Sequence, residues 1–187
     1  PDTFETVRTY DSMDRPVSET CTLNGCVQSV AFGYDGVGRV GSRTYGAGTG
    51  SVPQTETLAY NVRNWLTSSS SGPFTMTLRY NNAAHGAKAL HAGNISEWEW
   101  SRGAGSPVNA WKLAYDRCGR LTAADRLTGT SSSSLSATDA FSEKGISYDR
   151  NGNVTALTRY GQSATSPEDA LSYTYSGDRI ASISNSG

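Results

Sequence analysis

A seven-residue pattern recurs along this chain and constrains its fold more than any other feature. Tyr115-Asp116-Arg117-Cys118-Gly119-Arg120-Leu121 matches Tyr34-Asp35-Gly36-Val37-Gly38-Arg39-Val40 and Tyr148-Asp149-Arg150-Asn151-Gly152-Asn153-Val154. In each copy an aromatic and an aliphatic residue flank a polar loop, and the Gly four positions after the Tyr supplies the positive φ that a short chain reversal needs. Looser copies begin at Tyr10 and Tyr60, with Asp14 and Asn64 in the Gly position; Asp and Asn tolerate that backbone region next best. The pattern is a strand end, a tight turn and a strand start. The tyrosines at 10, 34, 60, 80, 115, 148 and then 173 or 175 are spaced by roughly two to three dozen residues, the period of stacked supersecondary units.

Between the copies the sequence reads as strands. Val30, Phe32 and Tyr34 alternate with Ser29, Ala31 and Gly33, and Phe74 to Tyr80 alternates large apolar residues with Thr and Arg, the period of a half-buried strand. Trp98 and Trp100 alternate with Glu97 and Glu99, and Trp111, Leu113 and Tyr115 repeat the pattern. Asn24-Gly25 is a strong two-residue hairpin signal; it places Leu23 opposite Cys26 and Cys21 opposite Gln28, so the two sulfurs are not directly opposed. Gly46 to Gly50 reads as a flexible reversal. Residues 81–93, rich in Ala, are the best helical stretch, weakened by Gly86, and read as an inserted loop with at most a short helix. Residues 128–145, which open on a Ser-rich tract, read as a second inserted loop. No sustained helical periodicity occurs, while roughly ten to a dozen strands are separated by turn signals. The expected fold is all-β: a curled antiparallel meander of hairpins, an open or partly closed β-shell segment, with one face collecting Tyr and Trp and the other Thr, Ser, Arg and Glu.

The Tyr-Asp-x-x-Gly-Arg-Leu copies resemble the YD-repeat, or Rhs (rearrangement hotspot), family, and the resemblance runs over essentially the whole chain, with Tyr173 to Ile180 as a shortened last copy. It implies residues 1–187 to be a single repeat array, a piece of a larger bacterial protein whose sheet spirals into a hollow shell that commonly encloses a C-terminal toxin. It also suggests an exported or cell-surface location. Self-cleaving members carry an Asp-Pro core ahead of the toxin; this chain has no Asp-Pro dipeptide, so it resembles the shell-building repeats without protease core or cargo.

Composition closes off several function classes. The net charge of −1 with mixed signs gives no footprint for nucleic acid, and no apolar run is long enough for a membrane-spanning helix. Cys21, Cys26 and Cys118, with His85 and His91, fit no metal-ligand or redox spacing. No cofactor or metal is expected.

The candidate residues divide into two groups. Tyr34, Asp35, Gly38, Arg39, Tyr115, Asp116, Gly119, Arg120, Tyr148, Asp149 and Gly152 are motif positions with a structural role: tyrosines that stack between neighbouring repeats, and aspartates that accept backbone N–H groups on entering a turn. Trp98, Trp100, Trp111 and Trp65 are inner-wall residues or, alternatively, platforms for a glycan. Glu97 and Glu99 could serve sugar hydrolysis only from an open cleft, and no catalytic residue is assigned. The expected function is a non-enzymatic scaffold whose partner is the rest of its own array, with self-association of the isolated segment through its open edges. The alternative is a carbohydrate-binding module.

Overall fold

The computed structural model describes residues 4–46 and 52–187. The chain forms two compact units, Pro1–Met76 and Thr77–Gly187. Among the described residues there are fourteen strands and no α-helix, and the strand order of the sheet is the chain order from first to last, an antiparallel meander. The expected all-β fold is therefore observed, with a few more strands than the turn signals alone suggest.

The strands of the first unit are β1 (Phe4–Tyr10), β2 (Pro16–Leu23), β3 (Cys26–Tyr34), β4 (Val40–Tyr45), β5 (Gln54–Tyr60) and β6 (Leu66–Ser70). β2 and β3 are joined at Asn24-Gly25, both with positive φ (49° and 80°), and Leu23 pairs with Cys26 and Cys21 with Gln28, the register the two-residue turn dictates. Residues 47–50 of the expected Gly-rich reversal lie outside the described residues. The two faces are not sorted as expected. Phe32 pairs with Arg43 and Arg43 with Glu56, so Arg and Glu share the aromatic face while Thr, Ser, Ala and Gly take the other. Arg43 and Glu56 neutralise each other across the strands at 3.4 Å, and the long Arg stem covers apolar surface while its head stays polar.

β7 (Thr75–Arg79) is followed by β8 (Glu97–Ser101), β9 (Val108–Tyr115), β10 (Leu121–Gly129), β11 (Ser136–Tyr148), β12 (Val154–Arg159), β13 (Asp169–Ser176) and β14 (Arg179–Asn185). The insertion between β7 and β8 contains no helix; Gly86 and Gly93 both take positive φ, which a helix does not accommodate. Residues 128–145 are not one loop. β10 continues to Gly129, a single 3₁₀ turn covers Ser132–Ser134, and β11 starts at Ser136. β11 is interrupted where Arg126 pairs with Thr138 but Ala124 with Glu143, leaving Phe141 at φ 61°. Ser142, fully buried, bridges the bulge: its hydroxyl accepts the Arg126 N–H at 2.9 Å and donates to the Thr138 carbonyl at 3.0 Å. A bulge of this kind re-aims a strand without ending its pairing.

Candidate functional site

The turn after each motif tyrosine is built around one side chain. The Asp35 carboxylate accepts the backbone N–H groups of Val37 and Arg39 at 3.0 and 2.9 Å on one oxygen and the Arg39 Nε at 2.7 Å on the other. Asp116 does the same with Cys118 and Arg120, Asp11 with Met13 and Arg15, and Asp149 with Asn151 and Asn153. Asn61 keeps the two backbone contacts, to Arg63 and Trp65. The fourth motif position has positive φ in all five copies, at Asp14, Gly38, Asn64, Gly119 and Gly152, as the sequence pattern requires. The donated hydrogen bonds also fix ionisation. The backbone N–H and then the guanidinium of Arg39 hold the Asp35 carboxyl below the usual carboxylate range. For Asp116 the Arg120 N–H leads, and for Asp149 the Asn153 amide. A carboxylate whose lone pairs are filled this way has no proton to give near neutral pH.

The copies are joined by a second contact that the sequence alone does not disclose. The Tyr34 hydroxyl donates to the Pro16 carbonyl at 2.7 Å, Tyr60 to Val40 at 2.9 Å, Tyr148 to Leu121 at 2.7 Å and Tyr175 to Val154 at 2.7 Å. In every case the acceptor is the sixth position after the preceding motif tyrosine. Tyr115 makes the same bond to Ile95, at 2.9 Å, so the segment leading from the insertion into β8 substitutes for a motif copy. The motif arginine lies over the next tyrosine ring: Arg15 on Tyr34 at 4.3 Å, Arg39 on Tyr60 at 4.8 Å and Arg120 on Tyr148 at 4.5 Å. Arg39 and Arg120 also reach the next turn, donating to the Asn61 and Asp149 carbonyls. Asp, Arg and the following Tyr thus form one rung; the last is completed by Tyr175, not Tyr173, with Asn153 in place of the arginine.

Trp98, Trp100 and Trp111 converge in the second unit. Trp98 pairs in register with Trp111, with ring centroids 5.3 Å apart, and Trp100 stacks on Trp111 at 4.4 Å and 14°. Trp98 is 36% exposed. Trp65 belongs to the first unit, in the motif Arg position, with the Arg63 guanidinium 5.1 Å from its ring centre.

Glu97 and Glu99 face the other side of β8 and hold the insertion. Glu97 has no exposed surface; one oxygen accepts the N–H groups of His85 and Ala87 and the other that of Ala84, at 2.8 to 3.1 Å. Glu99 accepts the Ser132 hydroxyl and an Arg79 Nη, and meets His85 Nε2, each at 2.9 Å. Burial would raise the Glu99 carboxyl, but the bonds from His85, Ser132 and Arg79 outweigh it and hold it low. The condition for sugar hydrolysis, a carboxylate pair in an open cleft, is not met: Glu97 is sealed and its acceptor capacity is spent on backbone. His85, Arg79 and Ser132 were not visible as partners in the sequence, since nothing local ties residues so far apart to one glutamate.

No protein-family model matches the chain, and no curated protein matches it in sequence. Its fold is similar to that in the crystal structure of TcdB2-TccC3-Cdc42, with a TM-score of 0.72 at 13% identity over 98% of this chain and 9% of the other. TcdB2-TccC3-TEV matches with a TM-score of 0.55 at 14% identity, over 98% and 10%. The chain spans about a tenth of the length of the solved chains it resembles.

Proposed function

We infer that this chain, whose fold is Rhs/YD-repeat-like, is a non-enzymatic structural scaffold: a stretch of wall in a YD/Rhs-type shell or cell-surface protein, bordered by further repeats of the same array. The observation that carries this reading is the run of rungs. The conspicuous motif residues are used up on one another, the aspartates by turn N–H groups and arginines, the tyrosines by the carbonyls of the preceding copy. β1 and β14 stand at the two ends of the strand order and are exposed along their whole length, which suits pairing with adjoining strands of an array.

The competing reading, glycan recognition through the tryptophans, needs open ring faces. Mutual stacking of Trp100 and Trp111 favours packing instead. On a broad glycan array the intact chain is expected to show no saturable binding, and Trp98→Ala/Trp100→Ala to behave identically. Saturable binding that disappears in the double variant would replace scaffold with recognition.

A further inference from the structure

The insertion does more than cover β8. Between its second half and β9 it leaves a groove of about 580 Å³, within the roughly 300–1,000 Å³ of small-molecule sites. Leu90, Ala92 and Ala114 contribute apolar surface, and Lys88, Lys112 and Arg117 bring three cations from three different segments. Lys112 is the informative one. In register it lies between Glu97 on β8 and Asp125 on β10, two carboxylates on its own face. Among the described residues it makes an ion pair with neither: the Glu97 oxygens are occupied by insertion N–H groups, and the cation nearest Asp125 is Lys144, at 3.9 Å. A half-buried ammonium without a counter-ion is costly. The other groove carboxylate, Asp116, is already matched by Arg120, so positive charge is in excess.

We propose that this groove binds a small organic anion with an apolar body, a carboxylate or sulfonate whose charged end meets Lys112 and whose body lies along Leu90 and Ala114. The groove shares Tyr115, Asp116 and Gly119 with a motif turn, but the proposal does not need the scaffold reading, since the contacts it invokes are made by Lys112, Leu90 and Ala114, none of which takes part in a rung.

The probe is 8-anilinonaphthalene-1-sulfonate, titrated by fluorescence into the folded chain. One saturable site is expected, weakened about tenfold by Lys112→Gln, the loss of one charge-assisted contact, and unchanged in Trp98→Ala/Trp100→Ala. Cys118 lines the groove, so bound probe is expected to slow its alkylation by iodoacetamide several-fold, with Cys21 and Cys26 in the first unit as internal references. Lys88→Glu and Arg117→Glu, both at exposed positions, carry the same test if Lys112→Gln perturbs folding. Equal affinity in these variants, loss of binding only in the tryptophan variant, unsaturable binding, or unchanged Cys118 alkylation would each overturn the proposal.

Discussion

Glu97→Ala is expected to destabilise the second unit by about 3–5 kcal/mol, the range seen when one member of a buried charged network is removed. The side chain is fully buried and accepts three backbone N–H groups from Ala84, His85 and Ala87. Alanine leaves all three donors without an acceptor, and each buried unsatisfied group costs about 1–3 kcal/mol. Arg79, with a nitrogen 4.0 Å from the same carboxylate, retains only Glu99. Glu97→Gln keeps the volume but replaces one acceptor with an NH₂ that faces N–H groups, so it is expected to recover only part of the loss. Urea denaturation gives the size of the effect, and limited proteolysis shows where it acts: cleavage within 81–93 should precede cleavage in the strands. Unchanged stability and unchanged cleavage would mean that the insertion is held by something other than this glutamate.

Trp100→Ala is expected to cost about 2–4 kcal/mol, somewhat less than truncation of a fully buried tryptophan because the ring is only half-buried. It stacks on Trp111 at 4.4 Å and tilts against Trp98 at 5.3 Å, so its removal opens the cluster on two sides. Thermal or urea denaturation measures it. A variant as stable as the parent would mean that the ring packs against nothing that matters to the fold, leaving it free for a ligand.

The parts of the fold that were legible in sequence are those fixed by local backbone chemistry. Asn24-Gly25 sets a hairpin register by itself, and the need for positive φ four positions after each tyrosine identifies Asp14 and Asn64 as equivalents of Gly38. What escaped was long-range or broke the period. The strand at 136–148 shows no alternation because the bulge at 139–142 shifts the side-chain phase in the middle of it. The aromatic face accepts Arg43 and Glu56 because they pair with each other, a relation between two strands that neither strand announces. The insertion looked weakly helical from its alanines, yet its conformation is dictated by two glutamates on β8 and glycines with positive φ. The rungs lay between these extremes: the tyrosines were visible, but the carbonyls they reach were not, because a backbone acceptor leaves no mark on the sequence.

That the repeated tyrosines join one copy to the next is tested most directly by equilibrium urea denaturation of Tyr34→Phe, Tyr60→Phe, Tyr115→Phe, Tyr148→Phe and Tyr175→Phe, with Tyr173→Phe as the reference off the ladder. Each of the five hydroxyls donates to a carbonyl at 2.7 to 2.9 Å, and deleting one removes that hydrogen bond, so each variant should lose about 1 kcal/mol while the reference loses none. Five variants indistinguishable from Tyr173→Phe would contradict a scaffold held together through its motif tyrosines.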